Sequence, residues 1–244
     1  MKGLVSILHY ASPPIVGGVE STIFHHARLL AGHGFQVKVI SGRGEKFHPE
    51  VDYLCIPEID SRHPEVQVVN EALASGEISE NFYRLRNRLA SSLRDSLFNS
   101  QVCIVHNALT LHKNLTLTAA LNQISDVVDC RLVSWSHDFA WQDPLYTPNL
   151  HMGYPWDLLR TPWRGVKYVA VSEDRRAQLA DLLNVASDTI QVITPGVDIY
   201  AFLEIGDLVQ ALTEKLGLLE ADPLLLLPAR ITRRKNIEFA IRVT

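Results

Sequence analysis

Two histidines stand where a strand-like apolar run gives way to polar sequence, and each is followed by a polar residue. They are His106-Asn107 after Val102–Val105 and His137-Asp138 after Leu132–Trp135. An imidazole so placed can hydrogen-bond a sugar hydroxyl or move a proton near neutral pH. A second cluster, Arg230, Arg233, Arg234 and Lys235, lies between the apolar run Leu224–Leu227 and a helical stretch. Free N–H groups at a helix start, together with fixed cations, attract a phosphate. A third candidate is the loop Ala11–Thr22, where Gly17 and Gly18 let the backbone approach a ligand closely in front of Glu20 and the first helix. Each feature also has an ordinary structural explanation: a strand-end histidine satisfied in the core, a solvated basic run, a glycine turn.

Other chemistries find less support. Gly17 and Gly18 do not follow the G-x-G-x-x-G spacing of nicotinamide and flavin sites. Ser172, at the end of Tyr168–Val171, lacks a G-x-S-x-G elbow and suits a helix N-cap. His25 and His26 are adjacent rather than four apart, and no cysteine pair has ligand spacing, so no metal site is expected. Trp135, Trp141, Trp156 and Trp163 gather in or near the stretch from His137 to Gly165, where they could stack on sugar rings or pack the loop.

The elements that must position these residues alternate between strand and helix. Leu4–His9, a helix around Ile23, Ala27 and Leu30, and Phe35–Ile40 make a βαβ opening, with Gly34 just past the helix end. A strand at Tyr53–Ile56 leads to a polar, Pro-containing loop and then a long helix with Phe82, Leu85, Leu89, Leu93 and Leu97 on one face. Strands at Val102–Val105, Leu132–Trp135, Tyr168–Val171 and Gln191–Ile193 follow, separated by helices over Leu111–Leu121 and Asp174–Leu183. The alternation predicts an α/β fold with a Rossmann-like, doubly wound parallel sheet. It pauses at Pro195-Gly196-Val197-Asp198, then resumes with a helical stretch from Phe202 to Leu216 and a late strand at Leu224–Leu227. The expected division is residues 1–198, a linker over 199–221, and a first βα unit of a second domain over 222–244.

Bulk properties narrow the function class. With 244 residues, 47% of them hydrophobic, the chain can bury a substantial core. A formal net charge of −4 gives no global attraction to nucleic acid. Cys55, Cys103 and Cys130 are an odd number at wide spacing, which fits a reducing, cytoplasmic setting. No apolar run approaches the roughly 20 residues that span a bilayer, which leaves a peripheral membrane contact open.

Several of these segments, in this order, resemble glycosyltransferase family 4. They are Gly17-Gly18-Val19-Glu20, Ser136-His137-Asp138, Val169-Ala170-Val171-Ser172-Glu173, Val192 to Asp198, and Pro228-Ala229-Arg230 with Arg234-Lys235-Asn236. The resemblance implies a GT-B architecture of two facing Rossmann-like domains. It implies retaining transfer of a sugar from a nucleotide sugar, such as a UDP- or GDP-sugar, to an acceptor without a metal. Carried over residue by residue, it makes His137 and Asp138 catalytic, brings Gly17, Gly18 and Glu20 to the donor, and sets Arg230 and Lys235 against the leaving diphosphate. The chain departs from the family at Thr194-Pro195-Gly196, where Pro-Asn-Gly is usual, and it ends before the paired glutamates that bind the donor. The 244 residues are therefore expected to be the acceptor-side domain plus the start of a truncated donor domain, inactive alone. The late strand, left without its sheet, is expected to promote self-association. A non-catalytic partner subunit and a same-fold epimerase or phosphorylase are the alternative readings.

Overall fold

The computed structural model describes residues 2–196, 206–218, 220–222, 225, 227–230 and 232–243. The chain divides into two compact units, Met1–Gly196 and Val197–Thr244.

The first unit is built on a seven-stranded sheet, β1 (Lys2–His9), β2 (Phe35–Ser41), β3 (Val51–Cys55), β4 (Ser100–His106), β5 (Arg131–Ser136), β6 (Lys167–Ala170) and β7 (Gln191–Val192). All neighbouring pairs are parallel, in the order β3-β2-β1-β4-β5-β6-β7. Strands covered on both faces need apolar residues at successive positions, which is why they read as continuous runs rather than alternating ones. Ile7 and Leu8 show the consequence. Ile7 packs with Val37, Val39 and Val51 against Ile23 and Ala27 of α1 (Gly18–Gly32). Leu8 faces the larger core formed with α2 (Pro64–Ala74), α3 (Glu80–Ser96) and α4 (Leu115–Ser125). The sheet order reverses direction between β1 and β4, and at such a switch point the loops leave a crevice at the carboxyl edge.

Local signals place the helix ends. α1 ends at Gly32, and Gly34, with φ +84°, takes the left-handed position that lets β2 begin at once. α5 (Glu173–Leu183) is capped by Ser172, whose Oγ accepts the Arg175 N–H at 3.2 Å, and it ends on left-handed Asn184. The loop after β1 is tied to the one after β2: Ser12 N–H donates to the Arg43 carbonyl at 2.8 Å, and Glu45 N–H donates to that of Pro13 at 3.0 Å. A Cβ at Gly42 would collide with the backbone nitrogen of Asp60, so a glycine is required where the chain leaving β2 passes the turn that follows β3.

The structure corrects the expected organisation in one place. The Pro-containing stretch expected as a loop holds α2, with Pro64 in its first turn, where a proline costs no hydrogen bond. Val66, Val69 and Leu73 of α2 are buried at helical spacing. The expected strand at Leu224–Leu227 lies partly outside the described residues, at Leu224 and Leu226. Leu225 and Leu227 are described, exposed and in no strand. Val197, Asp198 and Phe202 lie outside the described residues as well. In the second unit, α6 (Asp207–Leu216) ends at left-handed Gly217, a 3-10 turn spans Arg233–Lys235, and α7 spans Ile237–Val243.

Candidate functional site

Three adjacent strands end in a single row. In the parallel register Leu8 pairs with Val105, and His106 pairs with Trp135, so His9, His106 and Trp135 stand level at the ends of β1, β4 and β5. Side chains at one register level of adjacent strands share a face, and here that face is the one covered by α1. His26 of α1 closes over the row, its ring centroid 4.4 Å from that of Trp135 and 5.5 Å from that of His106. His137 follows immediately after β5, and its Nε2 lies 3.2 Å from Nδ1 of His106. Nδ1 of His9 lies 2.8 Å from the His106 carbonyl oxygen.

Asn107 fixes the turn that carries His137 and Asp138. Its Oδ1 accepts the backbone N–H of His137 at 2.7 Å and that of Asp138 at 3.3 Å, while its Nδ2 donates to Asp138 Oδ2 at 3.4 Å. Asn107 adopts a left-handed backbone, φ +59°, which asparagine tolerates better than most residues. On the far side, Arg175 of α5 stands 4.0 Å from Asp138 Oδ1 and stacks over the Phe139 ring. The two candidate catalytic residues thus sit in one network with His106, Asn107 and Arg175.

Burial sets the charge state of this row. It lowers the pKa of His9 to about 3 and that of His106 well below the usual value. Burial also takes His137 to about 4, against the opposing pull of Asp138 and with help from His26 and Arg175. His26 is lowered in the same way. All four rings are therefore neutral at pH 7, able to give or take hydrogen bonds but carrying no charge.

A pH dependence of stability follows. The folded pKa values of His9 and His137 lie below the unfolded value near 6.5, so below that pH the unfolded chain binds more protons than the folded one. The stabilisation is complete above pH 6.5 and is lost as the pH falls toward 3 to 4. His9 alone is expected to remove up to about 1.4 kcal/mol per pH unit in that window, with the other rings acting in the same direction. Urea unfolding of the 244-residue chain at pH 7.5, 6 and 5 checks this, and a midpoint that does not fall over that range contradicts it.

Gly17, Gly18 and Glu20 open α1 on the same carboxyl edge. Gly17 is the N-cap in an extended conformation, and a Cβ there would collide with the Glu20 carboxylate, which folds back over the helix start. A Cβ at Gly18 would meet nothing within 4 Å. Among the described residues no packing demands a glycine at 18. Arg230 and Lys235 belong to the second unit, where both are exposed.

The tryptophans are largely taken up in packing. Trp135, Trp156 and Trp163 are buried, and Nε1 of Trp141 donates to the Trp156 carbonyl at 3.2 Å. A separate cleft of about 430 Å³, lined in part by Asn70, His112, Lys113 and Trp156, contains neither the His137 turn nor any residue of α1. Among the described residues no three His, Cys, Asp or Glu side chains are placed to share a metal ion. No described helix is long and apolar enough to cross a membrane.

His26 and Arg175 were not singled out by motif. His26 shares its face of α1 with Ile23, Ala27 and Leu30, so helical spacing places it against the sheet. Nothing local to Arg175 marks it, since its pairing with Asp138 depends on β5 and β6 lying side by side.

Comparison with known proteins adds three findings. The family model for Glycosyltransferase Family 4 matches residues 16–200. No curated protein is matched. Among solved structures, WaaG, described as a glycosyltransferase involved in lipopolysaccharide biosynthesis, is similar at 13% identity with a TM-score of 0.48. The similarity covers 88% of this chain and 51% of that one. The chain spans about half the length of the solved structure it matches.

Proposed function

Because the chain belongs to glycosyltransferase family 4, we propose that its first unit supplies one wall of a sugar-transfer cleft, moving a sugar from a nucleotide sugar to an acceptor with retention at the anomeric carbon. The observation that carries this reading is the His137-Asp138 turn, clamped by Asn107 at the sheet's carboxyl edge beside the glycine start of α1. In a parallel sheet this edge is where ligands bind.

In this reading each residue has a distinct task. Gly18 leaves room for the donor, and the Glu20 carboxylate accepts a hydrogen bond from a sugar hydroxyl. A neutral His137 and the neighbouring Asp138 meet the reacting sugar. Negative charge grows on the departing diphosphate in the transition state, where fixed cations stabilise it more than in the ground state. That task falls to Arg230 and Lys235 rather than to a metal ion. The three unpaired cysteines, with Cys103 and Cys130 buried, fit a reducing, cytoplasmic setting.

The test is product analysis with the longest natural form of the chain, supplied with UDP- and GDP-sugars and a panel of acceptors in chelator. A glycoside with the donor's anomeric configuration, identified by its proton coupling, is the expected product. An inverted glycoside, an epimerised free donor or phosphorolysis would each overturn the reading.

A further inference from the structure

We propose that Asn107 is a positioning residue for sugar transfer: its single side-chain amide sets the backbone of the His137-Asp138 turn with its oxygen and the Asp138 carboxylate with its nitrogen. The effect on transfer rests on the reading above; the clamp itself does not.

A left-handed asparagine has an ordinary explanation, since it ends helices and turns where most residues would be strained. Three others in the chain fit that explanation. Asn99 precedes β4, Asn184 ends α5 and Asn236 ends the 3-10 turn Arg233–Lys235, and all three are exposed. Asn107 shares their backbone conformation, with φ +59°, but only 3% of its surface is exposed. A buried amide without partners is costly, so this side chain has to be bound within the fold.

The main chain of Asn107 is pinned first. Its N–H donates to the Trp135 carbonyl at 3.0 Å, and its own carbonyl accepts the N–H groups of Thr110 at 3.0 Å and Leu111 at 2.9 Å. From that fixed base the side chain reaches across to the turn after β5. The two ends of an amide are told apart by their partners. The backbone N–H groups of His137 at 2.7 Å and Asp138 at 3.3 Å require the oxygen on one side, and Asp138 Oδ2 at 3.4 Å requires the nitrogen on the other. Both demands give the same orientation.

Position 107 therefore asks for a left-handed backbone, an acceptor and a donor together. Glycine suits the φ but has no side chain. Aspartate tolerates the φ and can accept both N–H groups, but it turns a second anionic oxygen toward that of Asp138. Asparagine alone of the three meets every demand. The turn is thus aimed before any ligand arrives: the His137 ring stands against His106, and the Asp138 carboxylate is held at Oδ2 by Asn107 with Arg175 4.0 Å from Oδ1. A displacement of about 1 Å in a reacting group can cost about 10²-fold in rate, so a residue that need not touch the sugar is read in kcat.

Asn107→Gly and Asn107→Asp separate the two halves of the clamp. Backbone amide hydrogen exchange of the 244-residue chain reads the oxygen. Expected is slow exchange at the N–H groups of His137 and Asp138 in wild type, fast exchange in Asn107→Gly, and slow exchange retained in Asn107→Asp. Unprotected N–H groups in wild type overturn the clamp, and that measurement decides even if a variant does not fold. Protection that survives in Asn107→Gly overturns it too. Initial rates with the longest natural form of the chain read the consequence, with kcat expected about 10²-fold below wild type in both variants and donor KM little changed. A turn that merely needed a left-handed residue would be served by glycine. Wild-type kcat in either variant, or a loss carried by KM, overturns the positioning role. Because exchange needs no turnover, absence of sugar transfer from wild type overturns the proposed function and leaves the clamp to be judged by exchange.

Discussion

Replacing His137 by alanine is expected to lower kcat for sugar transfer by about 10²- to 10³-fold while changing KM for the donor far less, the cost of losing one preorganised polar group at the reacting sugar. The expectation rests on where the ring is held. Nε2 is taken up by His106 and the backbone by Asn107, so the remaining nitrogen is aimed by the fold and not by the ligand. Initial rates with the longest natural form of the chain, measured on wild type and variant at saturating donor, give the comparison. A loss below about tenfold, or one carried mainly by KM, would mean that His137 only binds. A stably associated second chain that supplies the activity, with His137→Ala nearly silent, would instead identify a non-catalytic partner subunit.

Phe82→Ala is expected to be the most damaging single change to the fold outside that row. Phe82 is fully buried in the first turn of α3, whose inner face continues through Leu85, Leu89 and Leu93 into the core shared with α4. Its ring meets Tyr154 edge-on at 6.0 Å, so its loss also loosens the long segment that follows β5. Truncating a buried phenylalanine removes its transfer free energy and leaves a cavity, together about 3–5 kcal/mol. Against a typical stability of about 5–15 kcal/mol this is a large fraction. It would appear as a fall in the urea midpoint at unchanged slope. A change under about 1.5 kcal/mol would show that α3 can collapse onto the space.

What could be read from the residues was whatever depends on short-range pattern. The strands of the first unit follow from apolar runs, and the inner face of α3 follows from the spacing of Phe82, Leu85, Leu89 and Leu93. α1 ends where Gly34 says it must. α2 was hidden because Pro64 and the polar residues around it look like a loop until their spacing is weighed together. A four-leucine run such as Leu224–Leu227 is compatible with several backbones, and two of its four residues lie outside the described ones. At the site, His106 and His137 could be paired in advance because both end strands. The clamp by Asn107, the approach of His26 and the ion pair of Arg175 with Asp138 each join distant segments. Only the strand order brings those segments together.

The level row of His9, His106 and Trp135 has a bearing on how such a protein can change over time. Parallel neighbours are held about 4.8 Å apart by their backbone hydrogen bonds, so the spacing of the row belongs to the sheet and not to any loop. The more exposed parts of the segments that follow these strands, residues 14–16 after β1 and 143–149 after β5, are free to lengthen, shorten or alter their surface without shifting the row. Selectivity for an acceptor can drift in these parts while the reactive frame is inherited intact.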